Sequence, residues 1–401
     1  MRGEWRWLTA LCIAHIATML PFANYAAALP ILRAEWGLSA AEAGAVFAAQ
    51  QIGYVIAVVV LSTLTDRVGV RVVYLGSALW NGVFGVLFAL GARDLASALV
   101  LRGLAGAGLA GTYAPGMRLV VHRFPAAGRG AAMGLYISCF GLGTGASLLL
   151  TGLLLRLDWR VALWVTALGP FAAFGIAWAI APDTPRSTSR MGANIVEVLR
   201  NARAMRFATA YAAHNWELFG MRAWLPAFLT VLWAAQEASV LEASSKAAAV
   251  ASAVLAAGAV SNALGGWVSD RLGRRRTIAL CLVGSAACSL GIGWSLPMGP
   301  GVVLSVALVY GLLITAESSA LSAAVAESAR METLGAAMAV QSGLGFVAAA
   351  AAPAVFGLIL DATATSWGWA FASLGLVALT GALVVARVPA TTHPVAGGGG
   401  V

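Results

Sequence analysis

Long apolar runs separated by short polar segments follow one another along the whole chain. Each run is about 20 residues long, which is the length that an α-helix needs to cross the hydrocarbon core of a bilayer. The runs are continuous, whereas membrane-spanning strands alternate apolar and polar positions, so helices are predicted rather than strands. The pattern predicts twelve transmembrane helices, near residues 7–31, 42–64, 72–92, 95–120, 131–154, 159–181, 207–233, 246–268, 275–293, 300–323, 333–358 and 366–387.

Two short motifs recur about half a chain apart. The stretch Asp66–Gly69 (Asp-Arg-Val-Gly) returns as Asp270–Gly273 (Asp-Arg-Leu-Gly), and Gly-Ala-Ala-Met occupies both Gly130–Met133 and Gly335–Met338. Both motifs recur at nearly the same offset along the chain, which indicates an internal duplication. Function is then expected where the two halves meet. The predicted organisation is a six-helix half at 1–181, a cytoplasmic linker at 182–206, a second six-helix half at 207–390 and a disordered tail at 391–401.

The composition excludes an ordinary soluble protein. The chain is 60% hydrophobic and 10% charged, whereas soluble domains carry roughly 25% charged residues. The net charge of +9 suggests nucleic acid as a partner, but the basic residues stand in short loops between spans, where they set membrane orientation. Nucleic acid is therefore not predicted. The cysteines all lie inside apolar runs and are interpreted as packing residues, so neither a metal site nor a cofactor is predicted: Cys12, Cys139, Cys281 and Cys288.

The distribution of basic residues predicts the orientation. If both termini are cytoplasmic, most of the 25 arginines and lysines fall in cytoplasmic loops and few fall in the opposite loops. This bias is typical of bacterial-type inner (plasma) membrane proteins. The first run is longer than a signal-peptide core, which spans about 7–15 residues, so it is predicted to remain as the first span. The arginine-rich linker is expected to contact anionic membrane lipid.

The repeated motif resembles a known signature. The segment Ser62–Arg71 resembles the loop between spans two and three of the major facilitator superfamily, and Gly266–Arg276 resembles it more closely. In the first copy, Ser62 replaces a glycine and Val70 replaces a basic residue. The resemblance implies two six-helix halves related by a pseudo-twofold axis. It also implies a gating latch formed by Asp66, Arg67, Gly69, Arg71, Gly266, Asp270, Arg271, Gly273 and Arg274. The alternative is that these arginines only orient the spans.

Two acidic residues lie well inside predicted spans, Glu217 and Glu317. A charge there costs several kcal/mol unless it is neutralised or paired, so both are functional candidates, with a structural ion pair as the alternative. His214 precedes Glu217 by three residues, and Tyr310 precedes Glu317 by seven, which is about two helical turns. Each pair therefore shares one face of its helix. Arg222, five residues after Glu217, is not a clean partner for it within one helix.

Resemblance to the superfamily also implies that spans one, four, seven and ten line a central cavity. The segment from Arg102 to Gly108 resembles the superfamily's fourth-span motif, whose arginine acts in proton coupling; the alternative is an arginine that reaches the headgroups. Tyr113 lies about three turns further along the same face. The predicted substrate and proton-coupling residues are His15, Arg102, Tyr113, His214, Glu217, Arg222, Tyr310 and Glu317.

These features together predict a secondary active transporter that moves a small organic anion or zwitterion by alternating access, coupled to protons. The predicted protein is a monomer and not an enzyme. A passive facilitator and a drug or metabolite exporter stay as alternatives, although the glycine–proline pair of exporters is missing from Cys139–Gly143. A transporter-like sensor and a membrane enzyme are more remote. The chain has neither a zinc-protease motif nor a nucleotide-binding loop.

Overall fold

A computed structural model describes residues 2–182, 195–234, 236–330 and 332–389, and these residues are almost entirely helical. The first half contains α1 (Arg2–Met19), α2 (Asn24–Glu35), α3 (Ala40–Val68), α4 (Val70–Gly91), α5 (Leu95–Arg123), α6 (Ala126–Leu155), α7 (Trp159–Ala167) and α8 (Gly169–Ile180). The second contains α9 (Ile195–Arg200), α10 (Ala202–Trp233), α11 (Val240–Leu272), α12 (Arg274–Ile292), α13 (Pro300–Ser328), α14 (Leu334–Ala362) and α15 (Trp367–Ala386).

Among the described residues, eleven helical segments are long and apolar enough to cross a membrane. The helix α10 is the twelfth long helix, and its polar residues, including His214 and Glu217, lower its mean hydropathy. Span one is formed by α1 and α2, and span six by α7 and α8, so each is broken once. The predicted twelve-span, all-α fold in two six-helix halves is confirmed. Residues 183–194 of the predicted linker and the predicted tail at 391–401 lie outside the described residues.

Close helix packing in the first half depends on glycine. A Cβ atom built on Gly106 of α5 would lie 2.0 Å from the carbonyl oxygen of Gln50 on α3. Gly108 packs in the same way against the backbone of Asn81 on α4. Because any side chain at these positions would force the helices apart, the small residues fix α5 between α3 and α4.

Single glycines make the turns that the two signatures predict. Gly69 joins α3 to α4 with a φ of +96°, and Gly273 joins α11 to α12 with a φ of +86°. L-residues with a side chain rarely adopt this conformation, so glycine permits a reversal through one residue. The predicted tight turns are confirmed at both positions.

The two halves meet along α3 with α14 and along α6 with α11. For orientation, the terminus side is the side of the bundle where α1 begins and α15 ends. Within the described residues, every hydrogen bond or ion pair between the halves lies on the opposite side or at mid-depth, through Arg33, Ala40, Ala41, Gly145, Arg156, Ser245, Ser252 and Asp361. The halves are therefore closed against each other on the opposite side.

Candidate functional site

Arg102 is buried inside the bundle, with 1% of its surface exposed. It lies on α5 beside the break between α1 and α2. Its guanidinium donates hydrogen bonds to the carbonyl oxygens of Pro21 (3.0 Å) and Phe22 (2.9 Å) and to Oδ1 of Asn24 (3.1 Å). A break in a helix leaves carbonyl groups without helical partners, and Arg102 satisfies those of Pro21 and Phe22 between α1 and α2. The same side chain packs over the rings of Tyr25 and Phe88.

His15 on α1 lies in a cage of aromatic rings. Its ring stacks on Tyr136 at a centroid distance of 4.7 Å and lies 5.5 Å from Tyr113. Both ring nitrogens are enclosed and have no hydrogen-bond partner among the described residues. Tyr113 thus lies beside His15 and Tyr136, although it shares a helix with Arg102.

His214 and Glu317 contact each other across two helices. Nδ1 of His214 on α10 lies 2.8 Å from Oε1 of Glu317 on α13, and Nε2 of His214 lies 2.8 Å from the hydroxyl oxygen of Ser318. Both side chains are almost wholly buried. The sequence had suggested His214 as a partner of Glu217 on its own helix. The observed partner is Glu317, because α10 and α13 pack side by side.

Glu217 has a separate set of contacts on α12. Ser285 donates its hydroxyl to Oε2 of Glu217 at 2.8 Å, and Oε1 is enclosed without a partner. Tyr310 of α13 donates to the hydroxyl oxygen of Ser289, one turn further along α12. The two glutamates are close enough to interact electrostatically. Among the described residues neither forms an ion pair with an arginine or lysine.

Arg222 of α10 lies where the two halves meet. Its guanidinium carbon is 5.7 Å from the ring centroid of Phe140 on α6 and 5.4 Å from that of Phe219 on α10. Only 9% of the residue is exposed, and the side chain has no hydrogen bond or ion pair within the described part of the chain. The two arginines predicted for the cavity therefore differ: both terminal nitrogens of Arg102 donate hydrogen bonds and only its Nε is unpaired, whereas Arg222 forms no hydrogen bond among the described residues.

Three tyrosines from three different helices lie close to Arg222. Tyr54 (α3), Tyr113 (α5) and Tyr211 (α10) lie near one another, and Arg222 lies near Tyr211. The hydroxyl groups of Tyr54 and Tyr113 have no hydrogen-bond partner in the described residues, and that of Tyr211 lies beside the side chain of Asn215. Together with Phe140, Phe219 and Arg222 they form what we call the central site. It draws side chains from both halves.

Several of these residues were missed by sequence reasoning: Phe140, Tyr211, Phe219, Ser285, Ser289 and Ser318. Ser285 and Ser289 are four residues apart and form a polar stripe on an apolar helix, which is a signal that could have been found. No comparable signal marks Phe140 or Phe219, because phenylalanine is common in every apolar run.

Comparison with known proteins decides the family. The family model described as Major Facilitator Superfamily matches residues 11–236 and 227–399. The chain belongs to this superfamily. Among curated relatives, it is 26% identical to the probable sulfoacetate transporter SauU of Cupriavidus necator, covering 89% of this chain and 87% of that protein. It is 25% identical to the hexuronate transporter of Bacillus subtilis, covering 94% and 92%. The 4-hydroxybenzoate transporter PcaK of Pseudomonas putida is 26% identical over 80% and 78%.

A solved structure shows the same fold. The bacterial homologue of the human lysosomal transporter Spinster, in an inward-facing and occupied conformation, superposes with a TM-score of 0.74 at 15% identity and covers 94% of each chain. The superfamily and the curated relatives are transporters, so the protein is a multi-pass membrane transporter for a small solute and not an enzyme.

The two superfamily signatures hold ion pairs within their own halves. Asp66 pairs with Arg118 of α5 at 2.6 Å. Asp270 pairs with Arg274 at 2.5 Å, and Arg274 also contacts Glu327 at 2.9 Å. The remaining charged signature residues lie at the surface: Arg67, Arg271, and Arg71, which donates to the carbonyl oxygen of Trp178. Gly266 packs against Ser319 of α13. None of these ion pairs, which are the ones seen for the signatures among the described residues, joins the two halves.

Proposed function

We propose that the protein is a proton-coupled transporter that moves a small organic anion by alternating access. The observation that carries this proposal is the Arg222 guanidinium, which is nine-tenths buried at the junction of the halves and has no hydrogen bond or ion pair with any described residue. A buried cation without a counter-charge is costly, and a guanidinium binds carboxylates and similar oxyanions in a bidentate manner. An anionic solute would supply the missing counter-charge.

The names of the relatives support the same chemistry. Sulfoacetate, hexuronate and 4-hydroxybenzoate are all organic acids. We do not assign such a ligand to Arg102, since both of its terminal nitrogens donate to the carbonyls of Pro21 and Phe22 and its Nε is enclosed. We assign Arg102 to holding the break in span one, beside the site.

The proton carriers in this proposal are Glu217 and Glu317. Two enclosed carboxylates cost several kcal/mol in the membrane unless protons neutralise them, and no arginine or lysine pairs with either among the described residues. His214 joins this set through Glu317 and is close enough to Arg222 to interact with it electrostatically. Proton binding in the second half is thereby linked to the charge at the central site. His15, which has no hydrogen-bond partner among the described residues, is the alternative carrier.

Alternating access is supported by the way that the halves meet. They are held together on the side opposite the termini, where Asp361 of α14 binds α3. With both termini in the cytoplasm of a bacterial-type inner membrane, as the loop charges predict, this conformation is open to the cytoplasm. The signatures would then join the halves in the other state. One chain supplies the whole central site, which supports a monomer. The lipid-facing surface of the chain is apolar.

Proteoliposomes test the proposal. Labelled organic acids are offered with and without a proton gradient. We expect gradient-driven accumulation by the parent and loss of binding in Arg222→Gln, with the exposed Arg93→Gln as the control. In Glu217→Gln or Glu317→Gln we expect loss of accumulation but retention of substrate-for-substrate exchange, which needs no net proton movement.

The controls separate the alternatives. The variant Glu242→Gln removes an exposed acid from α11 and should behave as the parent. If both buried-glutamate variants still concentrate substrate with a normal pH dependence, the assignment of the proton carriers is wrong. If the parent equilibrates the solute without concentrating it, the protein is a passive facilitator.

A further inference from the structure

The central site is surrounded by aromatic rings from both halves. Phe22 of span one lies 5.3 Å from Phe140 and 6.5 Å from Phe219, and Phe346 of α14 lies 6.4 Å from Phe219 and 4.7 Å from Tyr54. Such a shell binds flat apolar surfaces by offset stacking and edge-to-face contact. Ring faces also attract the Arg222 guanidinium, which holds it between the two halves.

The site offers one free cation. Arg222 is the arginine here whose donors have no partner among the described residues, and Arg102 is engaged by backbone carbonyls. A dianion would leave its second charge beside rings and phenols, where burial is costly. A single guanidinium without a counter-charge therefore favours a solute with one negative charge.

Most of the remaining free polar groups are phenols. A phenol can donate one hydrogen bond and accept others. The hydroxyls of Tyr54 and Tyr113 have no partner in the described residues, and that of Tyr211 lies beside the side chain of Asn215. The nearby amides are partly used: Asn215 donates to the carbonyl oxygen of Tyr211 and Gln341 donates to Ser322, which leaves Oε1 of Gln341 as an enclosed acceptor without a partner among the described residues. A solute with many aliphatic hydroxyls would find few partners here, whereas a ring with one or two polar substituents would be satisfied.

From this arrangement we propose that the transported solute is an aromatic monocarboxylate bearing a hydroxyl or similar polar substituent on its ring. The carboxylate binds Arg222, the ring packs against Phe140 and Phe219, and the ring substituent bonds to Tyr113 or Tyr211. This assignment rests on the proposed function, because it names the substrate class of the same site.

Competition on the parent protein tests the substrate class without any variant. Exchange of labelled 3-hydroxybenzoate is measured in proteoliposomes in the presence of one unlabelled competitor at a time. The competitors are 3-hydroxybenzoate, benzoate, cyclohexanecarboxylate, gluconate and phthalate. We expect the two aromatic monoacids to inhibit at concentrations about tenfold below cyclohexanecarboxylate, which has the same charge and similar size but no aromatic face. Gluconate and the dianion phthalate should be weaker still.

Variants then assign the contacts. Phe140→Leu should bring benzoate and cyclohexanecarboxylate close to equal, and Phe84→Leu, outside the site on α4, is the control. Tyr113→Phe should weaken inhibition by 3-hydroxybenzoate more than inhibition by benzoate, which has no hydroxyl group to lose a partner. Equal inhibition by benzoate and cyclohexanecarboxylate in a parent that carries other organic acids would overturn the aromatic assignment alone. Failure to move any organic anion would overturn the proposed function as well.

Discussion

Asp361 joins the two halves on the side opposite the termini, and its removal should open that side. The carboxylate accepts hydrogen bonds from the first two backbone amides of α3, with Oδ1 2.9 Å from the nitrogen of Ala40 and Oδ2 2.8 Å from that of Ala41. Arg33 of α2 lies 3.7 Å from the same carboxylate. Asp361→Asn removes the charge and one of the two acceptors while keeping the shape of the side chain.

The size of the effect follows from these contacts. A carboxylate at a helix N-terminus contributes about 0.3–1 kcal/mol at an exposed site and up to about 2 kcal/mol when partly buried. The Asp361 side chain is 31% exposed, so solvent weakens the Arg33 contribution. A loss of about 1–2 kcal/mol shifts the ratio of closed to open molecules on this side by about 5-fold to 30-fold.

Distances between spin labels measure this ratio. Leu157, between α6 and α7, and Val240, at the start of α11, are exposed and belong to different halves on the same side. Labels at these positions, in a background without the four native cysteines, should report a longer distance in a larger fraction of Asp361→Asn molecules. Asp158→Asn is the matched control, because Asp158 accepts from the amides of Arg160 and Val161 within one half. If the two variants give the same distance distribution, the reasoning is refuted.

Three other outcomes are expected. Gly106→Ala should lower the melting temperature in detergent, because overpacking of this kind costs about 1–3 kcal/mol, whereas Gly134→Ala, with nothing within 4 Å of its added Cβ, should not. Equal melting of both variants would contradict the packing argument. Asp270→Asn should slow turnover more than it weakens substrate binding, since its ion pair lies at the α11–α12 turn; unchanged turnover would leave it only an orienting role. Reporter fusions at Gly192 and at the C-terminus should both report cytoplasm, and an external signal from either would reject the orientation.

Hydropathy and charge along the chain were enough to predict twelve spans in two halves, because each span must satisfy the bilayer by itself. The turns at the signature glycines were predictable for a similar reason, because a φ near +90° at Gly69 and Gly273 depends only on that residue and its own turn. The embedded positions of Glu217 and Glu317 followed from the same rule. For these features, neighbours in sequence carry the physical constraint.

Side-chain partners were decided by tertiary structure. Helical spacing placed His214 and Glu217 on one face, yet His214 contacts Glu317 on α13 and Glu217 contacts Ser285 on α12. The sequence grouped Arg102 with Arg222, but the break in span one engages Arg102, and Arg222 is left between rings of different helices. Which groups meet inside a bundle depends on how helices rotate, break and pack against one another. Those choices are made by contacts between segments far apart in sequence, so no local pattern records them.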